Sequence, residues 1–389
     1  MEEVYLVAVA REPAVKATPL DVADLAARAI VPLFDSANVD PADVSALYLG
    51  NMLSGLLSNQ QLLAPLVAQK SGLQGVEALT VEAACGSGAA AIRAGFLAVA
   101  SGAHARVVVA GVEKMSGVDR NTVSRALACA SHWATEGGAG ETFITLNAKI
   151  MRQYMARYHL ERAAFAPFAV NAHRNGLHND CAMLKKSITH ADYLAARELA
   201  EPIGLYDAPP ICDGAAAVLL GNRATAHAAR ARGLPMVKIT GSGCASDALA
   251  LAERDNPLAL QAAADSALAA YRQAGKTPAD IDLFEPHDAY TVMTALSLEA
   301  AGFADRGKAT EAALAGSFDM DGALPITTFG GLKARGHPVG ATGVYQIAEC
   351  FLQLTDQAGL LQVANARVAM AQNLGGAAGS AFTHILERV

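Results

Sequence analysis

The feature that most restricts this chain is that it repeats itself. Residues 25–51, LAARAIVPLFDSANVDPADVSALYLGN, and residues 261–287, QAAADSALAAYRQAGKTPADIDLFEPH, each read as an alanine-rich helix, a turn, Pro-Ala-Asp and a strand. Pro41 and Pro278 stand 237 residues apart. A second echo follows in each half. CGSGAAAIRAG (85–95) leads through a helix to ARVVVAGVE (105–113), and GHPVGATGVYQ (336–346) leads through a helix to ARVAMAQNLGG (366–376). Two echoes in the same order point to a duplicated unit. The halves are then 1–235 and 236–389. Residues of about 117–205 match neither echo and are helical by period, which makes them an inserted, helical loop domain within the first half, a place from which substrate access is commonly shaped.

Short apolar runs alternate with the helical stretches: 4–9, 46–51, 78–83, 106–111, 216–221, 237–242, 281–286 and 368–373. This is an α/β pattern, and the spacing predicts a largely parallel sheet. Half of the chain is apolar and 17% is charged, as in a well-buried globular protein. A net charge of −7 argues against nucleic acid as the main partner, since a phosphate backbone needs a basic face. No apolar run nears the ~18 residues of a membrane span. The start, MEEVYLVAVAREP, is acidic and reads as a first strand rather than a signal segment, so a cytoplasmic location is expected. The six cysteines form no CxxC pair, which gives no zinc or redox motif, and each is by default a small buried apolar residue kept reduced.

Four strand–helix junctions carry chemistry. In VEAACGSGAAAIRAG (81–95), Cys85 opens a helix, where unpaired N–H groups and the helix dipole favour a thiolate, and Gly86 and Gly88 leave room for a substrate. In GGLKARGHPVGATG (330–343), His337 is held in glycine-rich backbone, with Pro338 expected in the first turn of the next helix. His287 and Asp288 end a strand, where open α/β sheets place ligands, and Asp288 is expected to cap the following helix. In AQNLGGAAG (371–379), Gly375 or Gly376 would turn a backbone N–H toward Cys85. Glu113 and Asp213 read as turn or capping residues. A cysteine, two histidines and a glycine loop at four such junctions constitute an active-site inventory.

On these segments, together with GVEKMS (111–116) and CDGAAAVLL (212–220), the chain resembles the thiolase superfamily along its whole length. The resemblance is to the archaeal and sterol-carrier-protein-type members, which carry the His-Asp seen here at 287–288. It implies a five-layered α-β-α-β-α fold of two duplicated halves with an inserted loop domain. It further implies acyl-CoA C-acyltransferase activity on coenzyme A thioesters, with no tightly bound cofactor, and a homodimer or homotetramer. Relatives of the archaeal type can work with a small zinc-containing OB-fold partner. Carried over by residue, Cys85 takes the acyl group and His337 activates it. His287 and His337 line one oxyanion hole, and the N–H groups of Cys85 and Gly375 form the other.

The sequence departs from the family at the second acid/base, normally a cysteine. Its two family positions are Asn373 and Ala289 here, and neither side chain titrates near neutral pH. Three readings follow. The chain makes or cleaves a β-ketoacyl-CoA with a substitute base (His287, Asp288, Tyr290 or water). Alternatively it forms C–C bonds by decarboxylation, as Cys-His-His ketosynthases do. The third reading is a non-catalytic subunit that binds acyl-CoA. Retro-aldolases on this fold dispense with the cysteine that this chain keeps.

Overall fold

All eight apolar runs form strands in the computed structural model, which describes residues 2–389. The strands are β1 (Val4–Arg11), β2 (Ala46–Gly50), β3 (Glu77–Val81), β4 (Arg106–Glu113), the short hairpin β5 (Glu198–Ala200) and β6 (Ile203–Gly204), β7 (Gly214–Gly221), β8 (Val237–Ser246), β9 (Leu283–Glu285), β10 (Val368–Gly375) and β11 (Ser380–Arg388). The helices are α1 (Val22–Ala37), α2 (Ser54–Leu57), α3 (Leu63–Lys70), α4 (Ser87–Ala100), α5 (Arg120–Ala128), α6 (Phe143–Tyr158), α7 (Ala166–Gly176), α8 (His190–Ala195), α9 (Arg223–Ala231), α10 (Gln261–Ala274), α11 (Thr291–Ala300), α12 (Ala309–Leu314) and α13 (Thr342–Leu354). None of the described helices is long and apolar enough to cross a membrane.

Nine strands make one sheet in the order β3-β2-β4-β7-β1-β8-β11-β10-β9. It consists of two half-sheets built alike. Read inward, the first runs β2-β4-β7-β1 and the second β9-β10-β11-β8, and they meet at the antiparallel β1–β8 contact, with Val4 opposite Ile239. Both Pro-Ala-Asp tripeptides fold into the same short 3-10 turn ahead of their strands. The first half alone has an edge strand like β3. Its second-half counterpart is reduced to a single parallel bridge between Phe284 and Ile326.

The expectation of a largely parallel sheet is corrected. β2 runs parallel to β3 and β4, and β9 to β10, but the other five pairings of the sheet are antiparallel. The cause is the returning strand of each half. β11 follows β10 through a short glycine-rich hairpin, and β7 re-enters from the end at which β4 leaves, after the excursion through α5–α8. β11 went unforeseen because six consecutive buried residues in SAFTHILER leave no alternation to read.

Five layers result. α1 and α3 cover the outer face of the first half-sheet, α10 with α11 beside it covers the second, and α4 and α13 lie between the half-sheets. The two central helices meet through glycines. A Cβ on Gly88 would stand 2.9 Å from the Gly343 nitrogen, and one on Gly343 would collide with the backbone of Ala89. This contact, possible only without side chains, brings the N-terminal ends of α4 and α13 together.

Candidate active site

Cys85 sits in a 3-10 turn, Ala84–Gly86, immediately before α4. Its neighbour Ala84 is held at φ +52°, a left-handed conformation that costs a non-glycine residue on the order of 1 kcal/mol. Ser87 clamps the turn: its hydroxyl donates to the Ala84 carbonyl at 2.6 Å and accepts from the Ala83 N–H at 2.9 Å. The expected thiolate is not present at rest. Burial first, and then the Glu113 carboxylate, push the Cys85 thiol up to about 12, against the opposing pull of the N–H groups of Gly376 and of Cys85 itself. Cys85 therefore needs a base.

The glycine facing the sulfur is Gly376 and not Gly375. Gly375 pairs with Ser380 at the end of the β10–β11 hairpin, whereas Gly376, at φ +61°, turns its N–H to Cys85 and lines the same cavity. The hairpin geometry decides this by one residue, which a run of two glycines conceals.

His337 follows a wide helical turn, Gly331–Arg335, entered and left by glycines at positive φ (Gly330, Gly331 and Gly336). Helix α13 starts at Thr342, so Pro338 lies ahead of it rather than in its first turn. The Pro338 carbonyl accepts from the Ala341 and Thr342 N–H groups and from the Thr342 hydroxyl. That hydroxyl has one hydrogen. The hydroxyl stands 3.1 Å from the Pro338 carbonyl and 2.7 Å from His337 Nδ1; with its hydrogen on Pro338 it accepts from Nδ1–H, the arrangement that leaves His337 Nε2 as a bare lone pair. Burial, with His287 and Arg335 nearby, holds the imidazole neutral, well below its ordinary value.

His287 lies just past β9, its ring centroid 5.1 Å from that of His337 and nearly perpendicular to it. Burial lowers it to about 4, so it too is neutral at pH 7. Its Nδ1 is 2.8 Å from the side-chain nitrogen of Asn373. Asp288 does not cap α11, whose N-cap residue is Tyr290. Its buried carboxylate accepts from the Leu332 N–H at 2.7 Å and pairs with Lys333 at 2.8 Å; Lys333 is itself buried and also donates to the Asp288 carbonyl and the Thr294 hydroxyl. Lys333 stood in a quoted segment, but nothing local in KAR marks an ammonium whose partner lies 45 residues away.

Cys85, His287 and His337 open into one cavity of about 850 Å3, and Ala289, Tyr290 and Gly376 share its wall. The inserted segment supplies the opposite wall, including Val123, Phe143 and His173, and Lys16, Arg120, Lys186 and Arg197 add basic groups. Cys85 is the one cysteine on this wall. Asp213 is a turn residue as read: its carboxylate accepts from the N–H groups of Thr18, Met115 and Ser116. Glu113 does more. From beneath Cys85 it accepts from Asn51, Met52 and Leu53 of the first half and from the Gly340 N–H of the second. Among the described residues no His/Cys/Asp/Glu cluster has a metal-binding arrangement.

The models of two domains, thiolase N-terminal domain and thiolase C-terminal domain-like, match residues 4–224 and 243–388. The chain belongs to the thiolase family. This thiolase is 39% identical to an acetyl-CoA acetyltransferase of Methanothermobacter thermautotrophicus, over 94% of each chain. It is 33% identical to an acetyl-CoA acetyltransferase of Methanocaldococcus jannaschii, over 90% of each. Among solved structures, a chain of the Ltp2-ChsH2(DUF35) aldolase superposes with a TM-score of 0.85, covering 99% of this thiolase and 98% of that chain at 22% identity, a likeness of fold.

Proposed function

We propose that this thiolase is an acyl-CoA C-acyltransferase that cleaves or makes β-ketoacyl-CoA through an acyl-Cys85 intermediate. The observation that carries the reading is that Cys85 shares a buried cavity with His337, whose Nδ1 is held by the Thr342 hydroxyl. His337 Nε2 takes the Cys85 proton as sulfur attacks the thioester carbonyl. The oxyanion forms against the N–H groups of Cys85 and Gly376; from a simple acyl-CoA the C–S bond to coenzyme A then breaks and the departing thiolate takes the proton back from His337. A β-ketoacyl-CoA is instead attacked at its β-keto carbonyl and the bond between the α- and β-carbons breaks, the α-carbon of the departing acyl-CoA taking the electron pair and that proton. His287 lines the second oxyanion site, used when the acyl group moves on, and the bare Nε2 of His337 serves there again as the base. The basic groups around the cavity suit the phosphates of coenzyme A, and no tightly bound cofactor enters these steps. Intact-mass spectrometry after mixing with acetyl-, acetoacetyl- and longer acyl-CoAs tests this. One acyl mass is expected, absent in Cys85→Ala, and an unmodified wild-type enzyme with every thioester sinks the reading.

One observation favours a second route. Cys85 is the one thiol on the cavity wall, where Ala289 replaces the second family cysteine. A site without that base can draw its carbanion from loss of CO2. Condensation with malonyl-CoA but not with acetyl-CoA would select this route.

The same reading extends to assembly and place. β3 ends the sheet with an unpaired edge and Leu79 half exposed, which supports a homodimer formed edge to edge, alone or within a tetramer. The aldolase with the same fold is Ltp2-ChsH2(DUF35), which supports a partner subunit here as well, the small zinc-containing OB-fold protein that the family resemblance implies. A cytoplasmic enzyme of lipid metabolism fits this picture.

A further inference from the structure

Position 373 is one of the two places where the family would put its acid/base, yet Asn373 is not on the cavity wall. It is 1% exposed and turned toward His287. Parallel β9 and β10 set Glu285 beside Ala371 at the end of β9, and two residues on in each chain segment the side chains of His287 and Asn373 meet.

The amide has a preferred face. With Nδ2 against the ring, one amide hydrogen is used, and the other hydrogen and Oδ1 are left to be satisfied behind the wall. Turned over, the amide would give the ring its oxygen and leave two hydrogens to be satisfied there instead. Buried unpaired N–H groups are rarer than under-satisfied carbonyls, so the first arrangement stands. The amide therefore donates and His287 Nδ1 accepts. A neutral imidazole that accepts on one nitrogen carries its proton on the other. Because Nδ1 faces Asn373 behind the wall, the protonated Nε2 faces the cavity. Thr342 sets His337 the opposite way.

We propose that Asn373 is a positioning residue that locks His287 as an Nε2–H donor into the cavity, so that the two facing imidazoles form one hydrogen-bond donor and one acceptor. Its catalytic consequence rests on the acyltransferase reading; the tautomer itself does not. Nitrogen-15 NMR of enzyme labelled at its histidines tests it, with the His287 signals identified by their loss in His287→Gln. A protonated Nε2 and a bare Nδ1 are expected. In Asn373→Asp the carboxylate, an acceptor only, should draw the proton to Nδ1, and in Asn373→Ala both tautomers should appear. In steady-state assays, kcat should fall about 10²-fold in Asn373→Asp with KM nearly unchanged, the size expected when one oxyanion donor is lost. A bare Nε2 in the wild-type enzyme overturns the proposal, as does a pattern unchanged in both variants. Should Asn373→Asp not fold, the wild-type spectrum decides alone. Failure of Cys85 to acylate, with the Nε2–H tautomer present, would sink the acyltransferase reading and leave this one standing.

Discussion

The two halves place different chemistry on the same scaffold. Each has a strand, a glycine-rich turn and a central helix, but α4 is preceded by a sulfur and α13 by an imidazole. The contrast is sharpest one strand away. In the first half, Gly50 and Gly111 are register partners on β2 and β4. A Cβ at either would run into the Gly340 carbonyl, so both must be glycine to admit the turn that carries His337. By the 237-residue offset of the echoes, Gly50 corresponds to His287, which in the second half meets Asn373 through its side chain just beyond the β9–β10 pairing. One half gives way and the other fills the space, and the site arises from that asymmetry.

The steepest test removes the proposed reacting pair. Cys85→Ala should abolish acyl-enzyme formation. His337→Ala should slow acylation by about 10²- to 10⁴-fold, as loss of a general base does. Rapid-quench mass spectrometry reads both. Equal, small losses from the two variants would mean that the halves do not divide the labour as their geometry implies.

The glycine crossing that joins the halves can be broken directly. Gly343→Ala places a methyl group in the Ala89 backbone, and Gly88→Ala meets the Gly343 nitrogen at 2.9 Å. Overpacking of this kind typically costs about 1–3 kcal/mol. Denaturant titration should show the larger loss for Gly343→Ala, and a wild-type midpoint in both would mean that the crossing has room for a methyl group.

Electrostatics also differ between the halves. Burial raises Glu113, under Cys85, to about 7. In the unfolded chain this carboxyl releases its proton near its ordinary value of 4.5, in the fold only near 7. Across that window the folded state holds the extra proton, so raising the pH costs stability, on the order of 3 kcal/mol for a fully buried group. His287 acts in the opposite sense: lowered to about 4, it contributes stability above its ordinary 6.5 that is lost as the pH falls through that range. Glu113→Gln should flatten the fall in unfolding free energy between pH 5 and 7.5. Equal slopes in both proteins would show that the Glu113 carboxyl does not titrate there.

What could be read in the sequence follows from this division. The duplication, the strands and the three side chains at Cys85, His287 and His337 stand in local patterns: periodicity, glycine punctuation and the repeated order of segments. What was missed is settled between segments. The choice of Gly376 over Gly375 depends on hairpin register. The Asp288–Lys333 pair spans 45 residues, and the Glu113 network spans both halves. The raised thiol of Cys85 went against the helix-end argument because burial and Glu113 outweigh the backbone N–H groups. A dipole can be read from a helix start, whereas the burial around it depends on the rest of the chain.

The smallest expected effect separates the two positions at which the family's second cysteine is missing. Ala289 lies on the cavity wall, whereas Asn373 sits behind His287 and off it. Ala289→Cys adds a thiol where substrate passes, so thiolysis of acetoacetyl-CoA should rise, by about tenfold at most, because the surrounding groups are not tuned to a second thiol. Asn373→Cys should give no gain and should lower kcat, since it deletes the amide that orients His287 without placing sulfur in the cavity. If instead Asn373→Cys gains and Ala289→Cys does not, the acid/base belongs behind the imidazole and not on the wall. The asymmetry between the Gly50–Gly111 and His287–Asn373 pairs would then mark a lost base rather than a gained hydrogen-bond donor.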